Sequence, residues 1–312
     1  SLNVLPGENV ESAVSTVFKR LEGPVMSEPS LAAIGADGKP STRAVHEVLP
    51  TNLPDLFEGD QLVLLGQYQS EQPLRFKLNG NYLGAPRSFE FKFDVASATT
   101  RNSYVPRLWA SRKIAYLIDQ IRQMAADGSS QPNPRTKELV AEIVRLSTQF
   151  GILTEYTAFL ATEGEMAALP APAARMRAEA ELDRKAAKIR SGAGAVSQEM
   201  NVNAQKAQVT MNRANAFYDA DMKRVEITNV QQIADRTFFR RNKQWIEAPL
   251  LERAKELKPD SEIEFGTAAF DQLVTRLVNE GRQGILALGS DLLLTLDGKT
   301  VLVKMPSDAK TQ

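Results

Sequence analysis

Few residues in this chain could do chemistry, and their spacing decides most cases. His46-Glu47 opens like a zinc-protease helix, but Pro50 stands where the second histidine belongs. His46 is the chain's only histidine, so a Ser-His-Asp triad is excluded as well. A lone strand histidine is most simply a surface or hydrogen-bonded residue. Gly38-Lys39 invites a phosphate-loop reading, yet Ala33 replaces the required glycine and Pro40 the required hydroxyl residue. Gly192-Ala-Gly194 lacks the third glycine of a dinucleotide fingerprint and follows a polar segment rather than a strand. Asp219-Ala-Asp221 offers two carboxylates, too few to hold a cation, and reads as a solvated loop. Cysteine is absent, which removes thiolate metal sites, disulfides and a cysteine nucleophile. Arg236-Thr-Phe-Phe-Arg-Arg-Asn-Lys-Gln-Trp245 interleaves bases and aromatics. On a strand its aromatics point to opposite faces, so it predicts a hairpin packing one aromatic set inward rather than a nucleic-acid platform. No catalytic, cofactor-binding or metal-ligating residue is assigned.

The elements that would carry these residues are clearer. A length of 312 residues suggests about two domains with a sizeable core. The 38 basic and 38 acidic residues cancel, which argues against binding nucleic acid or acidic membranes by bulk charge. No apolar run reaches the ~20 residues needed to span a bilayer. Val10, Val14, Val17, Phe18 and Leu21 recur at helical spacing up to Gly23-Pro24, predicting an amphipathic helix with one apolar stripe. Residues 25–100 read as five short strands: around Leu31–Ile34, Thr42–Val48, Leu62–Leu65, Leu74–Leu78 and Phe89–Phe93. The first two flank a hairpin-type turn, and the third is apolar on both faces, as in a central strand. Together they predict an antiparallel β-sandwich.

Residues 101–162 predict a helical hairpin, with stripes Leu108, Ile114, Leu117, Ile118, Ile121 and Leu139, Ile143, Leu146, Phe150 burying each other. Gly151 fits a C-terminal cap. Residues 163–222 predict a linker with a solvated helix over Met176–Ile189, a break at Ser191–Ala195 and an extended or mobile polar run over Gln198–Asn215. Residues 223–306 predict a small α+β domain, with hairpin turns at Asn242-Lys243 and Asp297-Gly298, and residues 307–312 a tail. The fold class is therefore α+β.

Particular words in these elements add a resemblance. Leu49-Pro-Thr-Asn-Leu-Pro-Asp-Leu-Phe57-Glu-Gly-Asp-Gln-Leu-Val-Leu-Leu-Gly66, Pro106-Arg-Leu-Trp109-Ala and Phe150-Gly-Ile-Leu-Thr154 are similar to the inter-alpha-trypsin inhibitor heavy-chain family. The similarity is closest to its bacterial branch of exported proteins with a VIT domain and a von Willebrand factor A domain. It covers residues 1–162 well and the remainder loosely. Glu155 stands where many relatives have proline, a departure expected to affect a turn rather than chemistry.

The resemblance implies that residues 1–24 hold the last helix of an A-type domain, with that domain's sheet and the VIT domain upstream. It implies export to the periplasm or cell surface, although no leader opens this chain. An A-type metal site needs Asp-x-Ser-x-Ser, suited to magnesium or calcium. Asp127-Gly-Ser129-Ser-Gln131 does not supply it, so the cation, with any cofactor role, is expected upstream. The family's Asp-Pro-His ester site is also absent. The reading is a non-enzymatic scaffold or presentation half of an adhesion protein, binding an extracellular or periplasmic protein ligand. Val10, Val14, Val17, Phe18 and Leu21 would form its partner interface. One alternative is a self-assembling surface or lattice component, a homo-oligomer in which segment 176–215 exchanges between subunits. A second is a hydrolase, disfavoured by the lack of a glycine-flanked serine elbow.

Overall fold

The chain is mixed α+β. A computed structural model describes residues 9–11, 14, 15, 18, 23–35, 37–69, 73–95, 102–126, 134–161, 171–254 and 257–306, in two units, Ser1–Thr100 and Arg101–Gln312.

In the first unit, helical backbone is present at positions 10, 11, 14, 15 and 18. Strands β1 (Met26–Ile34), β4 (Leu74–Tyr82) and β5 (Ala85–Phe93) form an antiparallel sheet in the order β1-β4-β5. β2 (Val45–Leu49) and β3 (Leu65–Tyr68) form a separate antiparallel pair. Leu83 and Gly84 both lie at positive φ (50° and 81°), the twist a two-residue turn needs between β4 and β5. The turn after Ile34 does not yield the expected β1–β2 hairpin. It closes only the bridge Ile34↔Pro40, because proline has no N–H to extend a ladder, and β1 pairs with β4 instead. Leu62–Leu64 is not a central strand: β3 starts at Leu65, and Val63 is exposed.

In the second unit, α1 (Tyr104–Ala126) packs against α2 (Pro134–Phe150) and also against α4 (Gly192–Ala207). It is thus buried on more sides than one partner requires. Leu108, Trp109, Ile114, Leu117 and Ile118 are buried, and so are Arg107, Ser111 and Arg112. The expectation of a solvated linker over 163–222 does not hold for the described part, 171–222. α3 (Ala171–Leu182) continues into a π-helical turn, Asp183–Ala187, and buries Ala174, Ala178, Leu182 and Ala186. The glycines after Ser191 start α4 rather than breaking a helix, with Gly192 at φ +75°. Small side chains let α3 approach closely. The polar run on and after α4 is ordered by hydrogen bonds: Ser111 Oγ donates to Gln208 Oε1 (2.7 Å), and Lys206 pairs with Asp119.

The rest of this unit is a six-stranded mixed sheet in the order β11-β13-β12-β10-β9-β8. It comprises β8 (Val230–Ile233), β9 (Arg236–Arg241), β10 (Gln244–Glu247), β11 (Ser261–Glu264), β12 (Asp291–Leu296) and β13 (Lys299–Lys304), after a small hairpin of β6 (Phe217–Tyr218) and β7 (Arg224–Val225). Both predicted turns form with positive φ, at Asn242-Lys243 (47° and 69°) and Asp297-Gly298 (50° and 77°). One sheet face packs Phe238 and Trp245 with Phe270, Leu273 and Leu277 of α5 (Ala268–Asn279). The other packs Phe239 and Ile246 with Leu153 and Ala161. The aromatics of β9 are therefore buried on both faces, not on one. The apolar run Ile285–Leu288, whose pattern predicts a strand, lies in a 3-10 helix, Gln283–Leu288.

Candidate functional site

The predicted interface residues on the first helix divide into two groups. Val10, Val14 and Phe18 are 62%, 60% and 65% exposed, whereas Val17 and Leu21 lie outside the described residues. Helical spacing puts the exposed three along one stripe.

The other candidates have structural roles. His46 lies in β2, opposite Gln67 of β3. The Gly38-Lys39 turn leads to no helix that could cradle phosphate. Asp219 Oδ1 accepts from the Asp221 and Lys223 amides (both 2.9 Å), which fixes the turn between β6 and β7. Asp127–Gln131 lies outside the described residues. Among the described residues no group of three or more His, Asp or Glu side chains is placed to hold a metal ion.

Two buried ionisable groups in the second unit, Arg107 and Glu155, have no chemical role assigned from the sequence. The first is Arg107 on α1. Its guanidinium donates to the Phe150 carbonyl (2.8 Å), Gln232 Oε1 (3.2 Å), the Asn212 carbonyl (3.1 Å) and Asn215 Oδ1 (3.0 Å). Burial lowers its pKa to about 10, so it stays charged at neutral pH. Neutral acceptors surround it, which marks a clamp joining α1, the end of α2, the 212–215 loop and β8. Gly151 makes that junction tight: its φ is +60°, and a Cβ there would lie 2.7 Å from Thr237 Cγ2.

The second is Glu155, in the turn after α2. It is buried, and its Oε1 has no hydrogen-bond partner. Lys185 Nζ, which could neutralise it, donates to the Glu155 backbone carbonyl (2.6 Å) and pairs with Glu181 (2.9 Å). Burial raises the Glu155 carboxyl to about 7, against smaller opposing effects of the Asn201 amide, Lys185 and Arg122. Neighbouring Tyr156 is fully buried, donates to Gln198 Oε1 (2.9 Å), and is pushed well above the ordinary phenol range by burial and then by Glu155.

Glu155 is part of the wall of a cavity of about 250 Å³ between the 153–155 turn, α4 and the β6–β7 hairpin. Thr154, Asn201, Gln205, Gln208 and Thr210 give that wall an amide and hydroxyl character. Arg224, also in the wall, is paired with Glu226 (2.8 Å). A buried carboxyl titrating near neutrality beside a polar cavity can bind a cation or exchange a proton. The only sequence signal for it was an acid inside the apolar run Phe150–Tyr156, set aside as a turn feature.

No family model matches the chain, and no curated protein and no solved structure matches it.

Proposed function

We propose that the chain is a non-enzymatic scaffold that docks a protein domain on the apolar stripe of its first helix. The observation that carries this reading is the exposure of Val10, Val14 and Phe18 together. Fully burying each would stabilise by about 1.5–3 kcal/mol, so a face of this kind favours a partner. The occupant is the sheet of a von Willebrand A-type domain, as the resemblance of residues 1–162 implies. In this reading the two sheets of the first unit are the layers of a small sandwich, the sandwich and the α1–α2 hairpin both serve as base for the A-type domain, and the protein acts in adhesion outside the cytoplasm.

The test is titration of the full chain with a separately produced A-type domain of this family, followed by sedimentation and calorimetry. Saturable 1:1 binding in the wild type, lost in a Val14→Asp, Phe18→Asp double variant that keeps its circular dichroism, is the expected result. Absence of binding, or binding that the double variant retains, overturns the proposal. Concentration-dependent self-association removed by the same substitutions would instead establish a homo-oligomeric lattice component.

A further inference from the structure

The free edge of β5 is a second exposed surface of the first unit, separate from the helical stripe. We propose that this edge pairs with the β5 of a second copy of the chain, antiparallel about Phe91, so that the sheets of the two copies become one.

β5 ends the order β1-β4-β5, with a described strand on one side only. Along an antiparallel strand, residues that exchange ladder bonds with the neighbour alternate with residues whose N–H and C=O point away from it. A two-residue turn is closed by a hydrogen-bonded pair, here Tyr82 and Ala85, so Phe89, Phe91 and Phe93 bond to β4. Ser88, Glu90 and Lys92 therefore direct their backbone groups to the open side, and all three residues are exposed. Pro86, without an N–H, limits the usable edge at its start. Phe91 and Phe93 are 45% and 55% exposed, so apolar surface adjoins the same edge.

Side-chain chemistry selects the occupant. The pleat puts Phe89, Phe91 and Phe93 on one face with Phe76 and Leu78, and Glu90 and Lys92 on the other with Lys77 and Arg75. Only registers that set outward-pointing residues against each other can form ladder bonds. One of them pairs Glu90 with Lys92 of the second copy and Lys92 with Glu90 of the second copy. In that register Phe91 meets its own counterpart and Phe89 meets Phe93. A shift of two residues either way sets Glu90 or Lys92 against itself, like charge on like. Within the chain Lys92 already lies opposite Arg75, while Glu90 reaches Lys77 at 3.8 Å. A second Glu90 on the other side of Lys92 offsets the Arg75 repulsion. A strand that complements itself about a twofold axis favours its own copy over an unrelated strand.

Sedimentation of the full chain over about 1–200 µM should show a monomer–dimer equilibrium. Glu90→Lys and Lys92→Glu should each weaken the dimer about ten- to a hundred-fold, since each turns both attractive pairs into repulsions. Mixed in equal amounts, the two variants should associate again, because every pair across the edge is then Lys against Glu. The chain has no cysteine, so Phe91→Cys supplies one thiol per copy, which mild oxidation should link to its counterpart. Phe93→Cys, facing Phe89, should link far more slowly. A monomer at every concentration overturns the proposal and leaves the edge to a strand of another protein. So does a dimer that both charge reversals leave intact, a mixture that does not associate, or equal linking at positions 91 and 93. The docking stripe is tested separately: the Val14→Asp, Phe18→Asp variant should dimerise as the wild type does. Self-association lost in that variant but kept in the β5 variants overturns the edge proposal alone.

Discussion

The two units are built on opposite terms. In the first, the buried apolar side chains among the described residues are Met26, Pro29, Leu49 and Leu78, while Tyr68, Phe91 and Phe93 stay exposed. β5 is exposed along nearly its whole length. A groove of about 510 Å³ beside β1 has no charged residue in its described lining. The second unit buries aromatics on both faces of its sheet and surrounds α1 with helices, and it then spends part of that interior on polar groups such as Arg107, Ser147, Glu155 and Asn201. A thin core with apolar surface left over favours association, since few internal contacts compete for that surface. A deep core that tolerates buried charge has stability to spare for a site. The proposed docking stripe belongs to the unit with the thin core.

Substitutions can break or sharpen that contrast. The largest effect is expected for Arg107→Met, which leaves the acceptors at Phe150, Asn212, Asn215 and Gln232 without their donor. It should destabilise the second unit by about 3–5 kcal/mol in urea unfolding and leave the first unit's transition in place. Gly151→Ala should cost about 2–4 kcal/mol in the same transition, through positive φ and the approach to Thr237.

Glu155→Gln acts in the other direction. The folded-state pKa of Glu155, about 7, lies above its unfolded value, so the folded state holds the proton more tightly. Stability is therefore full below the unfolded pKa, falls as pH rises towards about 7, and stays reduced above it. The variant should gain about 2–3 kcal/mol at about pH 8.5 and nothing near pH 4, read from paired denaturant curves. The smallest effect, about 2 kcal/mol or less, is expected for Leu78→Ala in the first unit, where a thin core can collapse around the deletion.

Sequence patterns revealed these units unevenly. Turns with positive φ were legible because Asn242, Asp297-Gly298 and Gly151 carry the residue types such backbone favours. The stripe of α1 was legible from period alone. The buried face of α2 instead runs through Val140, Ile143, Val144 and Leu146, with Leu139 and Phe150 only half-buried. The second burying surface of α1 was not legible, because its contacts at Arg107 and Ser111 are polar and long-range, the latter to Gln208. For the same reason the composition of the Gln198–Asn215 run predicts extended or mobile chain. Gln198 is buried under the Tyr156 hydroxyl, and Asn201 exchanges hydrogen bonds with the Tyr218 backbone (both 2.8 Å). Composition registers such residues as polar but cannot say which partners they reach. Glu155 was seen as a departure in a turn, and only the surroundings supplied by α1, α4 and the π-helical turn make its carboxyl unusual.

Amide hydrogen exchange on the full chain, alone and with saturating A-type domain, tests the docking claim most directly. The account predicts that the free chain exchanges rapidly around Val10, Val14 and Phe18, that the added domain slows exchange there, and that α1 and β9 of the second unit are unchanged. Slow exchange of the first helix in the free chain, or new protection confined to the second unit, would contradict it.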